Sequence, residues 1–304
     1  MNLHRDREIF SQVLSDTAAY MGLSDTGIIE KDYFVTYFLQ QIVAKQPGVI
    51  FKGGTSLSKC YKIINRFSED IDLNVDTEAA KLTEGQRKRL KQDILSIIEE
   101  AGFALENADQ IRSRRDFNHY VIDYGAPASP SVIKQYLIVE TAVQIKSFPT
   151  ETMSAASMVY DFLLAKKAHG EIELYALAPF SIRVQSLERT FIDKVFAIAD
   201  YYLDGNVESH SRHIYDLYKL YPRIAFDDGF AKLVAEVRVA RRTHVTCHSA
   251  QDGVDLPMLL RKIMTEDFYK ADYNRITEAL LFEKLPYEKA ATVLQKILDS
   301  GCFA

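Results

Sequence analysis

The chain has no run of eighteen or so apolar residues, so no membrane span is expected. Its start, Met-Asn-Leu-His-Arg-Asp-Arg-Glu, lacks the apolar core of a secretory signal, and the expected location is the cytoplasm. Cysteine is scarce. Cys60, Cys247 and Cys302 lie far apart and are odd in number, which supports neither a disulfide framework nor a zinc site. His210, His213, His244 and His248 fall within one stretch. No Cys-x-x-Cys or His-Glu-x-x-His accompanies them, so surface or loop histidines are favoured over a transition-metal site. Internal repeats and low-complexity segments are missing. Positive charge is in deficit: the net charge is -5, which argues against a dedicated nucleic-acid binder.

What is present is ordinary for a soluble globular protein, 47% hydrophobic and 26% charged. The 304 residues suffice for one large domain or two modest ones. Three local basic clusters are candidates for holding a polyanion: Arg87-Lys88-Arg89 with Lys91, Arg112 with Arg114-Arg115, and Arg238 with Arg241-Arg242. Each is more often a solvated helix face or loop than a binding site.

Spaced apolar positions predict helices over 5–20 and 27–45. Residues 48–52 form a short apolar run stopped by Gly53-Gly54, which fits a buried strand entering a tight turn. A helix is expected over 56–64. Residues 70–75 alternate polar and apolar, marking a half-buried strand. Thr83 opens a helix to about Ala101, closed by Gly102. Two more strands are expected at 117–124 and 133–145, with Pro127 and Pro130 in the turn between them. After Pro149 the pattern turns mostly helical, near 187–203, 212–220, 228–245, 256–265 and 287–300. The predicted class is α+β. A mixed sheet with flanking helices occupies 1–155, and a mainly helical domain occupies 156–304.

The informative stretch is Phe51-Lys-Gly-Gly-Thr-Ser-Leu-Ser-Lys59, followed by Arg66-Phe-Ser-Glu-Asp-Ile-Asp-Leu73. Gly53 and Gly54 let the backbone approach a ligand, and the following helix offers free N–H groups, an arrangement suited to phosphate. Thr55 and Ser56 add hydroxyls. Plain helix capping by Thr55 or Ser56 fits the same residues. The Gly-x-x-x-x-Gly-Lys-Ser/Thr pattern of a P-loop is absent.

Asp70 and Asp72 are two apart on a strand, so both carboxylates share a face, roughly 7 Å apart at Cα. Two anions on one face become favourable when hard cations sit between them, and magnesium takes carboxylates together with substrate phosphates. An exposed acidic strand end remains the alternative. Glu140 interrupts the apolar run Leu137-Ile138-Val139 and is the candidate third acid; a Glu on the solvent face of an edge strand fits equally well.

In this order the residues resemble the DNA polymerase β-type nucleotidyltransferase superfamily. The longer string is similar to the AbiEii/AbiGii toxin family. Glu30-Lys31-Asp32-Tyr33 resembles that family's N-terminal helix motif. Glu188 through Lys194, with Arg212-His-Ile-Tyr-Asp216-Leu, resembles its C-terminal motifs. The resemblance spans about residues 27–220. It implies a polymerase β-type core and a toxin of a toxin–antitoxin or phage-defence pair. Such an enzyme moves a nucleotide from an NTP to an RNA hydroxyl, at the tRNA 3′ end in some members, and releases pyrophosphate. Its cofactor would be Mg2+, with Mn2+ as the substitute, and its partner an antitoxin of winged-helix type. Carried over by position, Gly53, Gly54, Thr55 and Ser56 hold the triphosphate, Asp70 and Asp72 hold the metal, and Glu140 is the third acid.

On a helix from Leu187, the residues Phe191, Val195, Ile198 and Tyr202 share a face with Leu187, and Lys194 falls inside that arc. A buried-stripe lysine wants an anion, whether a phosphate or a carboxylate. The motif order favours phosphate, with Asp216 orienting Lys194 or lining the cleft. Alternatively, Arg212 and Asp216, four apart, pair on a helix surface. Two other functions stay open: transfer to a small-molecule or protein hydroxyl, and a non-catalytic nucleotide-binding module.

Overall fold

Alternation along the strands decides which side chains form the core. In the computed structural model, strand β2 (Asp70–Val75) buries Ile71 and Leu73 and leaves Asp70 and Asp72 half-buried. The structure describes residues 1–68, 70–75, 83–112, 116–125, 135–143 and 146–304. Glu69, Arg114, Arg115, Pro127 and Pro130, invoked above, lie outside the described residues.

The chain divides into two compact units. The first comprises 1–61, 68–146 and 150–184. Its strands are β1 (Val49–Lys52), β2, β3 (Ala104–Leu105), β4 (Phe117–Asp123), β5 (Tyr136–Ala142), β6 (Thr150–Ala155) and β7 (Phe180–Gln185), whose last residue belongs to the second unit. They form one seven-stranded sheet in the order β3-β4-β5-β2-β1-β7-β6. β2 runs antiparallel to β1 and parallel to β5, and β5 runs antiparallel to β4. One face, carrying Phe51, Ile71, Leu73, Tyr120, Ile122, Leu137 and Val139, packs into the core with α1 (Arg7–Met21), α2 (Thr26–Lys45) and α4 (Glu84–Ala101). The helices start where the sequence supplies caps. Asp6 accepts from Ile9 N, Asp25 from Gly27 N, and Thr83 with Gln86 completes a capping box. A short helix, α3 (Gly53–Lys59), follows β1. It starts earlier and ends earlier than the 56–64 expected, because the glycine pair itself forms its first turn.

Strands β6 and β7 and helices α5 (Met158–Ala165) and α6 (His169–Leu174) fall where only a change of pattern was legible. β6 reads Thr-Glu-Thr-Met-Ser-Ala and lies at the sheet edge. An edge strand of that kind needs no apolar alternation, so it leaves no periodic signal.

The helix motif at 30–33 is used structurally. Asp32 Oδ1 accepts from Lys59 Nζ at 2.5 Å, and Asp32 Oδ2 accepts from Met158 N at 2.7 Å. One carboxylate thereby ties α2 to the end of α3 and the start of α5. Lys59 Nζ also donates to Thr36 Oγ1 at 2.6 Å. Glu30 is different. Burial raises its carboxyl to about 7. The folded chain therefore holds a proton that the unfolded chain releases between the ordinary carboxylate value and pH 7, so this group lowers stability as pH rises through that window. Glu30→Gln is expected to raise Tm by a few degrees at pH 8, with the gain vanishing near pH 4.5. Thermal melts across that range check it.

The second unit comprises 62–67, 147–149 and 185–304. Helix α7 (Leu187–Leu203) runs through it, joined by α8 (Arg212–Leu220), α9 (Asp228–Arg242), α10 (Leu256–Thr265) and a last helix, Tyr287–Asp299. These bounds match those expected to within three residues. α7 is buried nearly all round, not along one stripe. Phe191, Ile192, Val195 and Phe196 are fully enclosed, and Arg189, Lys194 and Asp200 are buried with them. Leu187 and Tyr202, expected on the stripe, are only half-buried. The short segments are stitched in by backbone bonds: Phe67 N donates to Leu280 O, Phe282 N to Asn65 O, and Ser186 N to Pro149 O. Among the described residues, no helix is long and apolar enough to cross a membrane.

Candidate active site

Gly53 sits at φ +76°, in the left-handed region, and a Cβ there would lie 2.0 Å from Asp72 Oδ2. Only glycine fits, and the contact shows that the Asp72 carboxylate lies against the turn between β1 and α3. The helix starts at Gly53 with no side-chain cap from Lys52, so its first N–H groups lack intrahelical partners. The two hydroxyls are turned inward. Ser56 Oγ donates to Gly53 O at 2.9 Å, Thr55 Oγ1 lies 2.9 Å from Ser68 Oγ, and both residues are buried. They brace the turn; its exposed polar surface is backbone.

Sheet register assembles the acids. Asp70 pairs with Ile138 and Asp72 with Glu140 across β2 and β5, so Asp70, Asp72 and Glu140 share the face opposite the apolar core. Lys52 stands opposite Asp72 on β1, on the same face. His119, opposite Glu140 on β4, places Nδ1 3.0 Å from Glu140 Oε1. Sequence spacing gave no hint of His119. Its position two strands from Asp72 depends on the β4–β5 and β2–β5 registers together. The acids do not make a closed cage: among the described residues, no group of three or more His, Cys, Asp or Glu side chains could hold a metal ion by itself.

In the second unit, Lys194 is 5% exposed and Asp216 is fully buried. Lys194 Nζ donates to Asp216 Oδ2 at 2.7 Å and lies 3.4 Å from His213 Nδ1. Arg66 grips the same carboxylate bidentately, Nε to Oδ1 at 2.7 Å and Nη2 to Oδ2 at 2.8 Å. Asp216 is paired in the interior with Arg66 and Lys194, the contact with Lys194 being the one the motif order favoured over a helix-surface pair with Arg212. Burial alone would raise the Asp216 carboxyl; the two cations outweigh it and hold it below the ordinary range. Burial lowers Lys194, with Asp216 opposing. Burial, then Lys194 and Arg212, push His213 well below its usual value, so its imidazole is neutral and accepts from Lys194.

Among the described residues, several members of the basic clusters have partners within the fold. Arg87 pairs with Asp116, Lys91 caps Ile111 O, and Arg89 lies 4.0 Å from Asp93. Arg241 pairs with Asp193 and Asp200, Arg242 with Asp252, and Arg238 donates to Phe303 O. Two of the four histidines have partners of another kind. His210 stacks on Tyr201 with ring centroids 3.4 Å apart, and His248 lies 3.3 Å from Asp204. Cys60, Cys247 and Cys302 are all free thiols.

Residues 37–296 match the family model described as nucleotidyl transferase AbiEii toxin, type IV toxin–antitoxin system. In structure the chain is similar to MenT4, a nucleotidyltransferase toxin from Mycobacterium tuberculosis H37Rv. The TM-score is 0.60 at 16% identity, covering 94% of this chain and 88% of that one, a likeness of fold. No curated protein matches the chain in sequence.

Proposed function

The chain belongs to the AbiEii family of nucleotidyltransferase toxins, and from that membership we propose that it moves a nucleotide from an NTP to an RNA hydroxyl, at a tRNA 3′ end, releasing pyrophosphate. The observation that carries this reading is the Asp72 carboxylate set against the Gly53 turn, with Glu140 at the same register one strand away. A phosphate cradle and a row of acids on one sheet face are what positioning and charge neutralisation of a triphosphate require.

The donor set fits a hard divalent ion. Magnesium binds through one or two carboxylates, waters and substrate phosphates, so an all-protein cage is not needed. Asp70, Asp72 and Glu140 would hold it, and manganese in its place. When bound, such an ion neutralises phosphate charge and polarises the phosphoryl group.

The chain's own groups do the rest. The backbone of Gly53 and Gly54 binds the triphosphate, in a turn braced by Ser56 and Thr55. Glu140 orients the attacking hydroxyl and takes its proton, and His119 keeps Glu140 in place. The attack breaks the bond between the α- and β-phosphates, and pyrophosphate leaves in line. Within the second unit Asp216 orients Lys194, the buried cation that the motif order assigns to phosphate. The family's toxin–antitoxin setting implies a protein antitoxin, for which a winged-helix partner in the cytoplasm is the proposal.

The test is incubation of the purified protein with each labelled NTP and total RNA. Label is expected in RNA of tRNA size, from one NTP above the others. Label found only in protein, or only in small molecules, overturns the RNA assignment.

A further inference from the structure

The acidic balance of the chain conceals one surface of opposite character. Within the second unit, a cavity of about 370 Å³ opens where residues 62–63, the end of α8, the turn after it and the last helix meet. Its walls include Lys62, Tyr218, Lys219, Tyr221, Arg223 and Lys296, and among the described residues no aspartate or glutamate lines it. Arg223 and Lys296 are exposed at this concavity beside Lys62 and the Glu283-paired Lys219, a local positive character in a chain of net charge -5.

The site is built, not merely crowded. Lys219 Nζ is fixed by Glu283 at 2.8 Å, and Glu283 also accepts from Tyr215 OH at 2.5 Å. Tyr221 lies 4.7 Å from the Phe226 ring, and the Lys296 ammonium stands 5.6 Å from the Tyr221 ring centroid. Arg223 and Lys296 are exposed, and Tyr218 and Tyr221 are half-buried. Cations that follow a backbone, beside aromatic rings that accept any base face, are the chemistry of single-stranded nucleic-acid binding. An acidic protein segment would use the cations but not the rings. The cavity lies in the size range of pockets that enclose one small ligand group, which suits one nucleotide and its flanking phosphates.

We infer that this cleft binds the phosphodiester backbone of the RNA acceptor, with Arg223 and Lys296 as phosphate contacts and Tyr218 as a base-stacking ring. The inference rests on the RNA reading given above and names where the acceptor is held. Lys219 stands one turn along α8 from Asp216, so the cleft and the Lys194–Asp216–Arg66 cluster are two parts of one helical unit.

The test is fluorescence anisotropy with a 5′-fluorescein 20-nucleotide single-stranded RNA, between 50 and 300 mM KCl, without NTP. R223E/K296E is expected to weaken binding at 100 mM KCl at least tenfold and to flatten the log–log salt slope by about 1.4, two phosphates' worth. R223K/K296R keeps both, and unchanged thermal melts show each variant folded. Tyr218→Ala lowers RNA affinity at every salt concentration without altering the slope. A polyglutamate peptide of similar length is expected to bind at least tenfold more weakly than the RNA. The inference is overturned if the parent does not bind the RNA, if R223E/K296E binds it within twofold of the parent, or if polyglutamate binds equally well. Because no turnover is counted, the two readings fail separately. RNA binding lost in R223E/K296E supports the cleft even if no label enters RNA. Label in RNA with binding unchanged in that variant overturns the cleft alone.

Discussion

Asp72→Asn is expected to lower nucleotide transfer at least about 10³-fold, a loss of roughly 4 kcal/mol of transition-state stabilisation, while Tm stays within about 2 °C of the parent. The carboxylate is half-buried on the sheet face opposite the apolar core and lies against the Gly53 turn. Asparagine keeps its shape, its strand register and its clearance from Gly53, and removes only the charge. The core face of β2, made by Ile71 and Leu73, is untouched. If the acid's role is to manage the charge of a bound triphosphate, charge is what the variant must lose. Single-turnover transfer assays with saturating NTP measure the effect. Turnover within tenfold of the parent would remove Asp72 from the chemistry and, with it, the case for the turn as a phosphate site. Gly53 offers a cross-check from the other side of the contact: any side chain there meets Asp72 Oδ2 and must displace it.

Asp216→Ala is expected to act on stability, costing about 3–5 kcal/mol. The substitution leaves the Arg66 guanidinium and the Lys194 ammonium buried without their shared carboxylate. Neutral His213 cannot replace it. For a chain of this size the loss corresponds to a fall in Tm of roughly 10 °C. The sign of the pH dependence follows from the depressed Asp216 carboxyl. Its stabilising effect is fully present above the ordinary aspartate value and disappears as pH falls through the folded value, so the gap between parent and variant stays open at pH 5 to 7 and closes only in strong acid. Lys194 adds an alkaline effect. Burial lowers its pKa, so the unfolded chain binds a proton that the folded chain does not, and stability rises with pH between the folded and unfolded lysine values. Denaturant titrations at pH 3, 5, 7 and 9 check both directions. A Tm within 2 °C of the parent at pH 7 would show that the buried cations find other compensation.

Several features were legible because they are local. The alternation at 70–75 marked β2 and placed both aspartates on one side, and the structure has them there. Helices at 187–203, 212–220 and 256–265 were readable to the residue, since apolar spacing and caps are properties of neighbouring positions. Glu140 was a candidate because an acid broke an apolar run. Only the β2–β5 register shows that it stands opposite Asp72, which nothing in either segment alone specifies. The adjacent clusters of arginine and lysine were read as solvated faces or loops more than as binding sites. Among the described residues Arg87, Arg238, Arg241 and Arg242 meet carboxylates or carbonyls that adjacency in sequence does not name.

By itself the sequence determined the periodic elements, the glycine turn, the two strand acids and the family to which they point, because each is written within a few residues or in the order of short motifs. Tertiary structure alone decided which charges meet. Arg66 reaches Asp216 across 150 positions, His119 reaches Glu140 across 21, and Lys62 joins Lys219, Arg223 and Lys296 around one cavity. The physical reason is that helix and strand periods are set by backbone geometry one turn or one pleat at a time. The partner of a charge is set by how the chain closes on itself, and burial then makes that partner matter far more than any neighbour in sequence.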